Sequence, residues 1–480
     1  MSNSPTAQIA EPKNGLDRYF KISERGSTVG REVRGGLVTF FAMCYIIVLN
    51  PLILGFAADA NGNFLGGTES GSGIPKIAAA TALIAGIISI VMGVVAKFPM
   101  ALAAGLGLNA VVAVSVSTVP GMTWADMMGI IVIEGVVILV LVLTGFREAV
   151  FKAVPRELKV AISVGIGLFI ALIGFVNGGF VSQGQGATLQ LGVDGTLGTW
   201  PVLVFVVGLV LTIVLSVRNV KGAILISIIV ATIAAVIVQA VAKLGSVGDG
   251  DLKGWNLNVP EITDSAVAVP DFSIIGNFSV LSSWSNVGIV TVLLLVFSLL
   301  LADFFDTMGT MVAVGGEAKL LDEDGNPPDS NKILVVDSLG AIAGGMGSVS
   351  SNTAYIESTT GVAEGARTGL ASVVTGVAFL LATFLSPIVG LVPNEAAAPA
   401  LVFVGYLMMT QVTTIKWNDP QIAIPAFLTM VVMPFAYSIT AGIGVGFIAY
   451  VLIQLVLGKV KTIHPLMWLA AAMFVAYFII

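Results

Sequence analysis

Four polar side chains lie inside long apolar stretches of this sequence. Asn109 lies in LGLNAV, Asp303 and Asp306 lie in LLLADFFDTMGT, and Glu357 lies in SNTAYIES. A charged side chain is costly in the hydrocarbon core of a bilayer, so such residues face the protein interior and mark substrate or proton pathways. Each of them can also join two helices by a hydrogen bond, and the sequence leaves this alternative open.

The two aspartates have a spacing typical of one helical face. Asp303 and Asp306 are three residues apart, and Thr307 and Thr310 follow on adjoining turns. Residues three and four apart lie side by side on a helix, so the pattern predicts a face with two acids and two hydroxyls. We expect this face to point into the protein, away from lipid.

Other polar and aromatic residues in the apolar stretches give weaker signals. We interpret Glu134 in IVIEGVV and Asp337 in ILVVDSLG as acids that pair helices or have a conformational role. Aromatic side chains near the acids can stack on a flat ligand, although single aromatics more often pack or face lipid. These aromatic side chains are Phe40, Phe41, Phe304, Phe305 and Tyr355.

The composition predicts that the membrane part is the whole protein. Of the 480 residues, 56% are hydrophobic and 10% are charged, whereas soluble domains have about 25% charged residues. The mean hydropathy is +1.00. Cys44 has no second cysteine to pair with, and the single histidine, His464, argues against a zinc or haem site. We expect no cofactor and no nucleic-acid partner.

Apolar runs of about 20 residues, each long enough to cross a bilayer, recur along the chain. Breaks at charged, Pro, Gly and Asn residues divide them into about fourteen predicted spans. These are 33–55, 76–96, 98–117, 124–145, 158–178, 200–217, 222–242, 286–314, 332–347, 350–366, 368–392, 396–413, 421–438 and 440–458. The last apolar stretch, 464–480, is short enough to be either a further span or an interfacial helix.

The basic residues predict the orientation of these spans. With the N-terminus in the cytoplasm, only Lys76, Lys243 and Lys253 of the 22 Lys and Arg residues fall outside. Cytoplasmic loops carry the excess of Lys and Arg in membrane proteins. We therefore predict a multi-pass protein of the inner (plasma) membrane with a cytoplasmic N-terminus.

The spans divide into two halves. Seven precede the polar segment 243–285 and seven follow it, and an odd number per half predicts an inverted repeat, typical of transporters. The third span of each half, KFPMALAAGLGLNAVVAVSVS and GGMGSVSSNTAYIESTTGVAEG, is rich in small and polar residues. Such corresponding weak spans indicate broken helices at a central binding site.

Four motifs together resemble the AzgA-like branch of the nucleobase–cation symporters, the adenine/guanine/hypoxanthine permeases. They are GLGLNAV, ADFFDTMGT, SSNTAYIESTTGVAEGARTGL and IPAFLTMVVMPFAYSITAGI. The resemblance covers nearly the whole chain. It implies an all-α polytopic membrane fold of about fourteen spans in a 7+7 inverted repeat, in which the broken spans three and ten carry short strands. It also implies import of purine bases coupled to protons.

The resemblance further implies a core domain that moves against a gate domain. The core comprises 33–145 and 286–392, and the gate comprises 146–242 and 393–458. The remaining parts are a cytoplasmic N-terminal segment, 1–32, an extracytoplasmic loop, 243–285, and a C-terminal segment, 459–480. A long gate surface makes a homodimer plausible.

The resemblance places the family's site residues on residues of this sequence. Its substrate acid falls on Glu357, its span-eight acids on Asp303 and Asp306, and its span-three asparagine on Asn109. A purine is a flat ring with N–H donors and N or C=O acceptors, so Glu357 and Asp303 can accept its N–H groups. The predicted substrate-binding residues are Glu357, Asp303, Asn109, Phe304, Tyr355 and Thr307. Glu357, Asp303 and Asp306 are the candidates for proton coupling, and the sequence does not choose between the first two.

Several alternatives differ from this interpretation. A uracil or xanthine permease of the same superfamily would have a different span-eight motif, with a histidine near Asp303. A sulfate-type anion permease can share the architecture, but two carboxylates would repel its substrate. A membrane enzyme would need a nucleophile–base pair or metal cluster, and acids inside spans argue against a passive channel. The choice between adenine and guanine/hypoxanthine stays open.

Overall fold

A computed structural model describes residues 14–145, 154–182, 189–193, 195–247, 253–262, 265–322 and 326–479, and the side chain of Phe305 lies outside the described part. The first half contains α1 (Gly15–Phe20), α2 (Val29–Met43), α3 (Ile46–Leu54), α4 (Ile74–Val91), β1 (Leu102–Ala104), α5 (Leu106–Thr118), α6 (Trp124–Leu143), α7 (Arg156–Asn177), β2 (Val181–Ser182), β3 (Gln190–Leu191), α8 (Trp200–Val217) and α9 (Ala223–Ala242).

The second half also contains long helices, and it has one short strand. It contains α10 (Ser282–Asn286), α11 (Ile289–Glu317), α12 (Ser330–Met346), β4 (Asn352–Ala354), α13 (Ser358–Ala363), α14 (Gly369–Ala382), α15 (Ser386–Val389), α16 (Asn394–Met409), α17 (Pro420–Phe435), α18 (Ile439–Val456) and α19 (Pro465–Ile479).

Every predicted span overlaps helical structure. Within the described ranges, ten helical segments are long and apolar enough to cross a membrane. Three further apolar helices, α5, α17 and α19, are shorter. The polytopic helical fold is therefore confirmed, and the order of its elements is consistent with the predicted 7+7 repeat.

The third and tenth spans are broken, as predicted, and each carries a short strand. β1 and β4 pair in antiparallel fashion, with Ala103 opposite Thr353. The pairing continues beyond the strands, because the Gly105 amide donates to the Ser351 carbonyl at 2.9 Å and the Tyr355 amide to the Ala101 carbonyl at 3.0 Å. These interstrand bonds satisfy backbone N–H and C=O groups that have no intrahelical partner where the span is broken.

Local sequence explains why helices do not continue through these strands. Pro99 lacks the amide hydrogen that a helix interior needs, and Lys97, two residues before it, has a φ of 51°. In the tenth span, Ser348 and Ser350 have φ values of 55° and 73°. Gly344 lets the returning chain approach, since a Cβ there would lie 2.0 Å from the Ser350 carbonyl oxygen.

The helices named here pack in two groups. In one group, α6 packs on α12, and α14 packs on α2 and α4. In the other, α7 packs on α16 and α17, and α8 packs on α9 and α16. The domain boundaries themselves stay a prediction.

The last helix, α19, packs against both groups. Phe474 is fully buried and stacks edge-on against Phe447 of α18, and it also lies beside Phe297 of α11. A Cβ at Gly444 would lie 2.5 Å from the Phe474 ring, so this glycine allows the close approach. At 15 residues α19 is about 22 Å long, shorter than the hydrocarbon core.

Candidate substrate site

The predicted site residues come from four elements that meet beside the paired strands. α11 packs against α5, β4 and α13, and α3 packs against α5 and β1. α11 carries Asp303 and Asp306, α5 carries Asn109, and the turn between β4 and α13 carries Glu357. The fold therefore assembles these side chains around the two breaks.

Glu357 lies at the residue before α13 and is partly accessible. Its carboxylate accepts a hydrogen bond from the hydroxyl of Tyr45, which is buried at the junction between α2 and α3. Glu357 also interacts electrostatically with Asp306 of α11. Three groups from three different segments thus converge on one point.

Asp306 departs from the expectation for its helical face. Asp303, Thr307 and Thr310 are buried, whereas Asp306 is exposed. Positions 303, 307 and 310 fall within about 60° of one another around a helix, and position 306 lies about 40° outside that arc. The predicted face with two acids and two hydroxyls is thus only partly correct, and the acid that faces Glu357 is Asp306.

Asp303 is fully buried, and its carboxylate oxygens make no hydrogen bond with the described residues. The Thr353 hydroxyl of β4 lies near it without closing a full bond. Thr307, one turn further along α11, donates to Asp337 of α12 at 2.7 Å and lies 2.8 Å from the Thr353 hydroxyl. Thr307 therefore links two helices and a strand.

The predicted helix-pairing role is confirmed for Asp337. Its carboxylate accepts from Thr307 and also interacts with the backbone amide of Ala354. That amide is therefore directed at Asp337.

Asn109 is fully buried one turn into α5. Neither its side-chain oxygen nor its nitrogen has a hydrogen-bond partner among the described residues. A buried amide without partners is unfavourable by about 1–3 kcal/mol. The amide of Asn109 thus has unused donor and acceptor groups.

The predicted aromatic residues have different surroundings. Tyr355 is buried, and its hydroxyl donates to the Ala104 carbonyl at 2.6 Å, so it ties β4 to β1. Phe304 is also buried. Phe40 packs edge-on against Phe379, and Phe41 is 54% exposed, as expected for packing and lipid contact.

No feature of the sequence singled out Tyr45. It lies in AMCYIIVLN, an apolar stretch without acids or a recognised motif. The only available signal was its place near the middle of the first span, where a hydroxyl needs a partner.

Two cavities lie toward the far end of α5, away from the strands. The larger, about 330 Å³, is lined by residues of α5, α11, α19 and the turn between α17 and α18, among them Thr118, Thr291, Tyr437 and Tyr477. The smaller, about 30 Å³, lies next to it and is lined by Val111, Ser115 and Phe169, among others. Neither is lined by Glu357 or Asp303.

The fold is similar to that of a known transporter. The transmembrane domain of a cyanobacterium bicarbonate transporter, BicA, superimposes with a TM-score of 0.56 over 88% of this chain and 97% of that domain. The two sequences are 16% identical. At this identity the likeness shows the fold alone.

Sequence comparisons identify the family. The guanine/hypoxanthine permease PbuG of Bacillus subtilis is 36% identical over 97% of this chain and 99% of its own. The adenine permease AdeQ of Escherichia coli is 37% identical over 99% of this chain and 98% of its own. The sequence pattern described as the Permease family matches residues 30–470. The chain is therefore a multi-pass membrane transporter and not an enzyme, and it belongs to the permease family, which confirms the resemblance that its motifs showed.

Proposed function

We propose that this protein imports purine bases together with protons. The observation that carries the proposal is the accessible pair Glu357 and Asp306, which lies at two broken spans of a chain whose relatives are named as purine permeases. Relatives named for guanine/hypoxanthine and for adenine are about equally similar. The comparisons therefore favour purines without choosing among them.

The chemistry of the pair suits a purine edge. A carboxylate accepts hydrogen bonds from ring N–H groups, and the amide of Asn109 can both donate and accept. Tyr45 holds one side of the Glu357 carboxylate, which leaves its remaining acceptor sites for a ligand. These groups would fix the orientation of a flat, mostly neutral ring.

The proton is carried by a site acid, and Glu357 and Asp303 stay the two candidates. Glu357 can touch both substrate and water, whereas Asp303 is sealed behind the strands. Neutralising a carboxylate lowers the cost of moving it past lipid and protein interior. Proton uptake on one side would therefore favour the turn toward the other side.

We propose that the core moves against the gate in alternating access. The 330 Å³ cavity opens between the two helix groups at one end of the bundle. At the other end, Lys221, just before α9, forms an ion pair with Glu364, just after α13. The cavity end of the bundle is thus open, and an ion pair joins the two helix groups at the opposite end. The excess of basic residues predicts that the bridged end, which also holds the N-terminus, is cytoplasmic, in the inner membrane.

An anion permease is the second candidate, since the bicarbonate transporter has the same fold. Two facing acids at the site disfavour it, because like charges repel an anion. A homodimer through the apolar outer face of α8 and α9, where Val210 and Ile237 are exposed, stays a prediction.

Competition for uptake tests the proposal. Cells expressing the protein take up labelled hypoxanthine or adenine in the presence of unlabelled adenine, guanine, hypoxanthine, xanthine, uracil or bicarbonate, with and without a protonophore. We expect purines to compete and the protonophore to abolish accumulation. Competition by uracil alone or bicarbonate alone would overturn the substrate assignment, and accumulation that survives the protonophore would overturn proton symport.

A further inference from the structure

Glu134 is a buried acid that has no evident structural bond. It lies in the middle of α6 and is fully buried. Neither carboxylate oxygen has a hydrogen-bond partner among the described residues, and no ion pair of Glu134 occurs within them. A buried carboxylate in this situation is much more costly ionised than protonated.

Close helix packing brings Glu134 toward the other sealed acids. α6 packs on α12 through glycines, since a Cβ at Gly135 would lie 2.7 Å from the backbone nitrogen of Ile342. A Cβ at Gly345 would similarly lie 2.8 Å from the Met128 carbonyl oxygen. A Cβ at Gly135 would also lie 3.0 Å from the Ser338 carbonyl oxygen, so the chain neighbours of Glu134 and Asp337 are in contact. The titratable groups that interact with Glu134 among the described residues are Asp303 of α11 and Asp337 of α12.

Unpartnered polar groups also lie at this place. The Ser351 hydroxyl lies near Glu134 without closing a full hydrogen bond, and it makes no hydrogen bond with any other described residue. The side-chain amide of Asn352, the next residue, also has no partner. Both residues are fully buried. The Ser351 hydroxyl is thus a polar group beside the acid that no full hydrogen bond within the described chain uses.

A helix-pairing role would require bonds that Glu134 does not make. Asp337 shows what such a bond looks like, because it accepts from Thr307 of α11 at 2.7 Å. Asp126, two turns earlier on α6, accepts from Thr123, Ser282 and Asn286. The sequence-based helix-pairing interpretation is thus supported for Asp337 and unsupported for Glu134.

We propose that Glu134 is a proton-binding group of the transport cycle, which exchanges a proton with Asp303 and Asp337 behind the substrate site. This inference rests on the proposed proton symport. Acids that adjoin in a buried cluster cannot all be ionised, so the cluster retains protons that its members share. Asp303 connects it to the accessible side, because Asp303 also interacts with Asp306. A proton taken up at Glu357 or Asp306 can therefore pass to the buried acids Asp303, Asp337 and Glu134.

Proteoliposomes with the purified full-length protein test this role. Glu134→Gln keeps the size and hydrogen-bonding capacity of the side chain but removes its titration, and Glu134→Asp keeps the titration. Glu395→Gln is the matched control, since Glu395 is a buried acid of α16 that accepts from the Asn256 amide, a bond that glutamine can keep. Three quantities are measured: purine counterflow, uptake against pH, and protons moved per purine with an internal pH dye.

We expect purine counterflow of Glu134→Gln to stay within about twofold of the wild-type rate. Its uptake should lose much of its dependence on pH. One coupled proton can change uptake by up to about tenfold per pH unit. Protons per purine fall, and Glu134→Asp restores both quantities. A wild-type proton count in Glu134→Gln overturns the inference and leaves proton symport standing. An equal loss of counterflow and uptake at every pH indicates a structural role and also overturns it. If the wild-type protein itself moves no protons with purine, the proposed symport fails too.

Discussion

The acids in the middle of this protein fall into two regions that differ in access. Glu357 and Asp306 lie on the accessible side of the paired strands, and Glu357 is held by the Tyr45 hydroxyl. Asp303 and Glu134 are sealed on the other side and have no hydrogen-bond partners among the described residues. Carboxyl side chains in neighbouring parts of the fold thus have opposite surroundings.

Because their access differs, substrate recognition and proton binding can be tasks of different acids. Among these acids, a substrate can reach only the accessible pair, so recognition is expected to depend on Glu357. The sealed acids can hold protons or join helices, but they cannot contact a purine without a rearrangement of β1 and β4. Substitutions in the two regions should therefore affect different measurements.

The largest effect is expected for Glu357→Gln. The variant loses a charged acceptor for a ring N–H, which contributes about 1.5–3 kcal/mol, so uptake efficiency should fall about 10- to 100-fold. Uptake of labelled adenine and hypoxanthine at equal surface expression measures it. Glu69→Gln, an exposed acid in a loop, is the control. Wild-type uptake efficiency and proton dependence in Glu357→Gln would remove Glu357 from the site.

Thr307→Val tests the sealed region. The substitution removes the Thr307 hydroxyl, which bonds to both Asp337 and Thr353. The free energy of unfolding should therefore fall by about 1–3 kcal/mol. Thermal unfolding in detergent measures the loss, and Thr410→Val, an exposed residue that bonds only to its own turn, is the control. The sequence placed Thr307 in the substrate site. Unchanged stability with weakened purine binding would support that role over the structural one.

Tyr45→Phe sharpens the description of the accessible region. It removes the donor to Glu357 and leaves the ring, so apparent purine affinity should fall about three- to tenfold, or about 0.5–1.5 kcal/mol. Tyr406→Phe, with 60% of its residue surface exposed, is the control. The double variant with Glu357→Gln should be no worse than Glu357→Gln alone, because both remove one interaction. Additive losses would show that Tyr45 acts independently of Glu357.

The sequence predicted the spans well because the bilayer imposes a length that composition reveals. The breaks in spans three and ten were also predictable, since runs such as GGMGSVSSNTA lack the large apolar residues of a lipid-facing helix. The pairing of Ala103 with Thr353 was not, because it joins residues 250 positions apart and depends on how the halves fold together.

The residue types of the site were predictable, but their access was not. Asp303 and Asp306 look alike in ADFFDTMGT, and only the packing of α11 against β4 seals one and leaves the other open. Tyr45 had no motif to reveal it, because its role comes from Glu357, more than 300 residues away. A single sequence carries no direct signal for such long-range contacts.

The smallest effect is expected at the ion pair that bridges the two helix groups. Lys221 is 52% exposed and Glu364 is 20% exposed at the side chain, so the pair should contribute only about 0.2–1 kcal/mol. If it closes the end that holds the N-terminus, Lys221→Ala should favour opening there and reduce access to the 330 Å³ cavity at the other end by at most about fivefold. Labelling of a cysteine at Thr118, after Cys44→Ser, measures that access.

Lys332→Ala is the matched control for this last prediction, because Lys332 pairs with Asp329 at 3.0 Å within one segment and bridges nothing. Lys221→Glu should act in the same direction as Lys221→Ala and more strongly, since it places two acids together. Both effects should shrink at high salt, which screens exposed charges. Equal labelling in Lys221→Glu and Lys332→Ala would mean that the pair does not govern which end opens. The accessible acids would then need another element to switch their exposure between the two sides.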